Sequence, residues 1–179
     1  GLTPNQISAL GVIFALVSGF SYWFSASLSS QGSLWKVFII FAALSILISG
    51  FCDALDGALA RLYGHTTSFG GFLDSLLDRY ADSAIYFGLM MGGLCDMSWG
   101  IAALVGSLLV GYARARSEAA GVKMETVGIA ERAERLLIIV LGSLLSLLWR
   151  EAPRWSIILL ALLTNFTVLQ RAIYFRLSL

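Results

Sequence analysis

Residues 6–28 read QISALGVIFALVSGFSYWFSASL, and the first charged residue of the chain is Lys36. A bilayer-spanning helix needs roughly 17–25 mostly apolar residues, so this stretch is a span in its own right. Working outward, apolar runs of similar length recur at 34–62, 69–94, 98–118, 128–149 and 153–178. They are long and lack the alternation of a membrane barrel, which leaves helices. The expectation is all-α: a polytopic membrane protein of six transmembrane helices in a single domain, 1–179. The opening Gly1-Leu2-Thr3-Pro4 carries no Met, so an upstream segment is expected to be missing.

Composition agrees. Of 179 residues, 58% are hydrophobic and 13% charged, against about 25% charged in an ordinary soluble domain. That excludes a soluble globule and a disordered chain. A net charge of +1 gives no basic surface for nucleic acid. A single histidine, His65, excludes a His-rich metal site, and Cys52 and Cys95 have no zinc-binding spacing. Thr3, Pro4 and Gln6 form a helix-start signal. Gln31-Gly32-Ser33 reads as a turn, Gly64 to Ser68 as a short polar link, and Pro153 as part of a first helical turn.

Orientation follows from the basic residues. With the N-terminus inside, six spans put Arg61, Arg79, Arg114, Arg116, Lys123, Arg132, Arg135, Arg171 and Arg176 on one side. Lys36, Arg150 and Arg154 fall on the other. Nine against three makes the first side cytoplasmic.

The carboxylates are more informative. Asp53 and Asp56 are three apart; Asp74, Asp78 and Asp82 are four apart. At about 100° per residue each set shares one helix face. The short link predicts helices two and three antiparallel and side by side, which brings four or five carboxylates to one cleft. Helix-end aspartates are commonly just solvated or paired, here with Arg61 or Arg79. Five on two aligned faces cannot all ionise unaided, and ionisable groups at membrane depth are rare and usually functional. Oxygen-only ligands point to Mg²⁺, Mn²⁺ or Ca²⁺.

The full spacing is Asp53-x2-Asp56-Gly57-x2-Ala60-Arg61-x8-Gly70-x3-Asp74-x3-Asp78, eight specified residues across 26 positions. It resembles the signature of the CDP-alcohol phosphatidyltransferase family with no departure, and the six-helix plan extends the resemblance over the chain. The resemblance implies a transferase that moves a phosphatidyl-type group from a CDP-linked lipid to a polar alcohol and releases CMP. It implies one or two Mg²⁺ or Mn²⁺ ions on Asp53, Asp56, Asp74 and Asp78, with Asp78 also the catalytic base. Gly57, Ala60, Arg61, Thr67 and Gly70 would border the CDP donor, with Asn5 and Ser8 at the start of helix one beside them. Small residues there let phosphate approach backbone, and Arg61 can hold a diphosphate bidentately. Asp82 lies outside the signature and is read as supporting a ligand or pairing with a nearby cation.

The ends of helices four, five and six carry Arg114, Arg132, Arg135 and Arg171. Three helix ends supplying guanidinium groups make a phosphate site; the competing explanation is the inside-positive bias plus Glu–Arg pairs within helices. The stretches ARARSEAAG and GIAERAERLL resemble the phosphatidylinositol-phosphate and archaetidylinositol-phosphate synthase subgroup, which implies inositol 1-phosphate as acceptor. Glycerol phosphate, serine, and CDP-inositol with inositol phosphate are alternatives with the same chemistry. A membrane prenyltransferase and a carboxylate-based ion transporter are alternatives from other classes. Gly88-x3-Gly92 permits close helix packing, either within the chain or in the homodimer that the resemblance implies on helices three and four. Trp23, Trp35, Trp99 and Trp149 fall near helix ends, as in an interfacial belt.

Overall fold

The computed structural model describes residues 3–28, 33–62, 67–124 and 127–178, except the side chains of Ala60 and Arg61. Six helices follow one another: α1 (Pro4–Ser27), α2 (Leu34–Leu62), α3 (Ser68–Met91), α4 (Met97–Ala119), α5 (Arg132–Leu145) and α6 (Ala152–Leu177). No strand occurs among the described residues. The start of α1 follows its signal: Pro4 opens the helix, and the Gln6 side chain accepts from the Thr3 N–H at 2.9 Å. Thr67 caps α3, its hydroxyl accepting from the Gly70 N–H at 2.9 Å. Pro153 sits in the first turn of α6. Gln31 and Gly32 of the expected turn, and Gly64, His65 and Thr66 of the expected link, lie outside the described residues.

Helix five departs from expectation. It covers 14 residues rather than 128–149. Gly128 has φ +128°, which a helix does not accommodate. The segment before α5 is instead tied to α6: Arg171 Nε donates to the Val127 carbonyl at 2.8 Å, and the N–H groups of Ile129 and Ala130 reach Thr167 Oγ1 at 3.3 Å. At 1.5 Å per residue α5 is about 21 Å long, short of the ~30 Å hydrocarbon core. In α3, the run is interrupted by Asp74, Asp78, Arg79 and Asp82. Among the described residues, four helices are therefore long and apolar enough to cross a membrane: α1, α2 from Leu34 to Leu59, α4 and α6.

The packing also corrects the expectation that α2 and α3 lie side by side. The extensive interfaces are α1 with α2, α1 with α3, and α4 with α6; α5 bridges α2 and α6, and α3 meets α4. Helix α1 lies against both α2 and α3 because its backbone and that of α3 touch. A Cβ on Gly19 would lie 2.4 Å from the Ala84 carbonyl oxygen, one on Gly88 2.2 Å from the Gly19 oxygen, and one on Gly92 2.4 Å from the Tyr22 oxygen. Gly88-x3-Gly92 is thus spent within the chain.

The core gathers Ala15, Tyr22, Ile46, Ile85, Leu89 and Leu160. Two buried tyrosines keep hydroxyl partners: Tyr22 with Ser143 at 2.6 Å, Tyr86 with Ser107 at 3.0 Å, which spares the cost of an unpaired buried polar group. Outside, Phe20, Phe24, Phe51, Phe87, Leu162 and Phe166 are exposed. An apolar surface that broad fits lipid rather than water.

Candidate active site

The sequence-selected polar residues whose side chains are described gather at one end of the bundle, because the helices alternate in direction. That end collects the N-terminal turns of α1, α3 and α5 and the C-terminal turns of α2, α4 and α6.

Helix α2 carries Asp53 and Asp56 into the centre, and α3 carries Asp74. One carboxylate oxygen from each lies within 4.8 Å of those of the other two. Asp56 is buried, and the Ser8 hydroxyl of α1 hydrogen-bonds its carboxylate. Asp78, one turn along α3 from Asp74, joins these three around a small gap that Ser8 and Arg132 also line. Like charges this close need a counter-cation. Three converging oxygen donors suit Mg²⁺ or Mn²⁺. The residues therefore fit a divalent ion, with Asp53, Asp56 and Asp74 able to hold it and Asp78 adjacent.

Arg132, at the first position of α5, supplies a positive charge to this group. Its Nη1 lies 2.8 Å from Asp53 and 2.7 Å from Asp78, and its Nε 3.6 Å from Asp82. Nη1 lacks hydrogen-bond alignment to either neighbour, so the bridge is mainly coulombic. Arg135, one turn on, donates to Asp82 at 2.7 Å and to the Ala130 carbonyl at 3.0 Å; both partners of this ion pair are buried. Asp82 thus pairs with a cation, as read from its position outside the signature, and holds two arginines rather than one.

Three of the residues expected to border a donor meet at the entry of α1 and α3. A Cβ on Gly70 would be 3.5 Å from Asn5 Oδ1 and 3.0 Å from Thr67 Oγ1, so Asn5, Thr67 and Gly70 are neighbours. Gly57 follows Asp56 on α2 and is partly exposed. The Ala60 and Arg61 side chains lie outside the described residues.

A cleft of about 370 Å³ opens beside the carboxylates, lined by Asp74, Asp78, Asp82, Arg79, Arg114, Arg132, Arg135 and Arg171, with Ser107 and Glu131. All four arginines selected from the sequence are there. Arg114 pairs with Glu118 at 2.9 Å. Arg171 is buried; it donates to the carbonyls of Val110 at 2.6 Å and Val127 at 2.8 Å, and lies 3.5 Å from Glu131. It ties α6 to α4 and to the segment before α5. Asp74, Asp78 and Arg132 line both the gap and the cleft, and so mark where the two meet.

Sequence reasoning treated Arg79 as an inside-facing charge and as a partner for the aspartates, which it is for Asp78 at 3.5 Å, but not as part of a substrate cleft. The structure puts it in the cleft wall, its guanidinium against the backbone of Gly111 in α4. The only signal was its place next to Asp78. A cavity of about 400 Å³ lies at the other end of the bundle, lined by Trp35, Asp96, Arg150, Glu151 and Arg154. It is as large as the cleft, but Arg154 is paired there with Asp96 at 2.7 Å and Glu151 at 3.4 Å, and among the described residues no group of three carboxylates faces it. Chemistry, not size, selects the site.

A metal-ready carboxylate group beside an arginine-walled cleft, in an apolar six-helix bundle, is the arrangement of a membrane transferase acting on phosphate esters. The chain belongs to the CDP-alcohol phosphatidyltransferase family, whose model matches residues 1–169. It is similar to archaetidylinositol phosphate synthase of Methanothermobacter thermautotrophicus, 44% identical over 177 residues, covering 97% of this chain and 83% of the relative. It is similar also to archaetidylinositol phosphate synthase of Pyrococcus horikoshii, 39% identical over 171 residues, covering 96% and 82%. Among solved structures, phosphatidylinositol phosphate synthase of Mycobacterium tuberculosis matches with CDP-DAG bound (TM-score 0.76, 31% identity, 98% of this chain and 87% of that one). The same enzyme in complex with manganese and citrate matches at TM-score 0.82, with 28% identity, 98% of this chain and 83% of that one.

Proposed function

We propose that this chain is a six-span, single-domain membrane transferase that moves the phosphatidyl-type group of a CDP-linked lipid, CDP-archaeol or CDP-diacylglycerol, onto inositol 1-phosphate. The observation that carries this reading is the junction at Asp74, Asp78 and Arg132, where the carboxylate group meets the arginine-walled cleft. The similarity to two archaetidylinositol phosphate synthases supports the acceptor.

In this reading Asp53, Asp56, Asp74 and Asp78 hold Mg²⁺ or Mn²⁺, which when bound neutralises the diphosphate and eases departure of CMP. Asn5, Ser8, Gly57, Ala60, Arg61, Thr67 and Gly70 border the CDP donor. Arg114, Arg132, Arg135 and Arg171 build a positive wall for the acceptor phosphate. Asp78 faces the cleft and accepts the proton of the acceptor hydroxyl. That oxygen bonds to the phosphorus carrying the lipid, the bond from this phosphorus to the oxygen of the CMP phosphate breaks, and CMP leaves. The lipid chains lie along the exposed apolar helix faces while the nucleotide stays at the surface. The nine-to-three distribution of basic residues supports a cytoplasmic site in a cell membrane. The homodimer remains part of the proposal, formed on surfaces other than the Gly88 face already occupied by α1.

The test is CMP release by the purified chain with each CDP-lipid and a panel of inositol 1-phosphate, glycerol phosphate, serine and unphosphorylated inositol. Metal-dependent CMP release with inositol 1-phosphate is expected. Pyrophosphate release from a prenyl diphosphate, or ion flux without chemistry, would replace this reading with a prenyltransferase or a transporter.

A further inference from the structure

Five guanidinium groups line the cleft, and four hold closer partners than the fifth. Arg171 has a side chain only 2% exposed and spends its donors on two backbone carbonyls. Arg135, 7% exposed, is held by Asp82 and the Ala130 carbonyl. Arg132, 15% exposed, is drawn to Asp53 and Asp78. Arg114 is more open but lies 2.9 Å from Glu118. Arg79 differs: its side chain is 35% exposed, and its nearest carboxylate among the described residues is Asp78, at 3.5 Å.

Arg79 is seated on a neighbouring helix as well as beside this carboxylate. The guanidinium lies over Gly111 of α4, where a Cβ would fall 2.1 Å from Nη2 and 2.8 Å from Cζ. Arg79 faces the cleft and not the gap among the carboxylates, so its reach is to the acceptor side. An incoming dianion finds there a guanidinium that makes no hydrogen bond among the described residues, whereas Arg114 and Arg171 each first have to release an acceptor.

We propose that Arg79, seated on Gly111, is an acceptor-specificity residue that binds the phosphate of the phosphorylated alcohol directly, next to the base that takes its proton. This rests on the transferase reading above. Arg79 adds to the positive wall of Arg114, Arg132, Arg135 and Arg171 in the same cleft. The pairing of Arg79 with Gly111 makes two independent perturbations available: removing the cation, and displacing it by filling the space under it. A single methyl on Gly111 meets only the far end of a flexible side chain, so the fold tolerates it.

The test is direct binding of inositol 1-phosphate by calorimetry to the purified chain, together with KM for acceptor and for CDP-lipid. Wild type is compared with Arg79→Ala, Arg79→Lys and Gly111→Ala. A charge-assisted contact of this kind predicts that Arg79→Ala weakens inositol 1-phosphate binding and raises its KM roughly 10- to 100-fold. KM for the CDP-lipid stays within about threefold, Arg79→Lys recovers part of the loss, and Gly111→Ala reproduces the loss with every cation still present. Unchanged acceptor binding in both Arg79→Ala and Gly111→Ala overturns the proposal, as does an equal rise in both KM values. If wild type binds inositol 1-phosphate but releases no CMP, the transferase reading fails while binding still decides the role of Arg79.

Discussion

Asp78 is one of three residues, with Asp74 and Arg132, that line both the gap of the carboxylate group and the arginine cleft. Replacing it by Asn keeps its size and removes its capacity to take a proton. Asp78→Asn is expected to lower kcat by ~10²–10⁴-fold with CDP-lipid KM little changed, read as CMP release. Asp56→Ala takes away a buried member of the oxygen group; Mn²⁺ binding followed by electron paramagnetic resonance should weaken at least tenfold, whatever the turnover. Asp82 acts differently, through Arg135. Removing one partner of a buried pair costs about 3–5 kcal/mol, so Asp82→Ala should lower the thermal midpoint in detergent, with or without substrate. An unchanged midpoint would contradict the paired role of Asp82. The aspartates were legible in the sequence because spacings of three and four on one helix are a local property. The seats of Arg132 and Arg79 were not. They depend on how the starts of α5 and α3 meet α2 and α4, and no local spacing records that.

Among the elements, α1 was readable from the apolar run 6–28 together with the start signal of Thr3, Pro4 and Gln6. Its place in the bundle was not. A short link constrains only the two helix ends it joins, whereas the packed faces decide who lies beside whom. Here glycines admit α1 against α3 backbone to backbone. Gly88→Leu forces a side chain into the Gly19 backbone, and overpacking of this kind costs about 1–3 kcal/mol or more. The expected outcome is a lower unfolding midpoint in detergent. A variant that unfolds normally but changes only its oligomeric state would show that Gly88 faces a second chain instead. Helix α5 was read too long because Gly128 and the tethering of Val127, Ile129 and Ala130 to α6 are invisible to an apolar-run count. That tether is what brings Arg132 to the carboxylates: a helix begun at Gly128 would start one turn earlier and present a different side chain there.

At the scale of the whole molecule, 13% charged residues sufficed to exclude a soluble protein, and their placement describes an enzyme. The carboxylate group and the arginine cleft share one end of the bundle; Asp96, Arg150, Glu151 and Arg154 occupy the other. If the first end is cytoplasmic, a phosphatase reporter fused after Leu177 stays inactive and one inserted at Gly93, in the turn between α3 and α4, is active. The reverse pattern contradicts the inside-positive orientation. The central claim is that the carboxylate group and the cleft together transfer a lipid phosphoryl group to a phosphorylated alcohol. Its most direct test is CMP release from CDP-archaeol and CDP-diacylglycerol across the acceptor panel, with and without Mg²⁺ or Mn²⁺. The account predicts metal-dependent CMP release that is greatest with inositol 1-phosphate. Turnover that is greatest with serine or unphosphorylated inositol, or CMP release indifferent to metal removal, would contradict it.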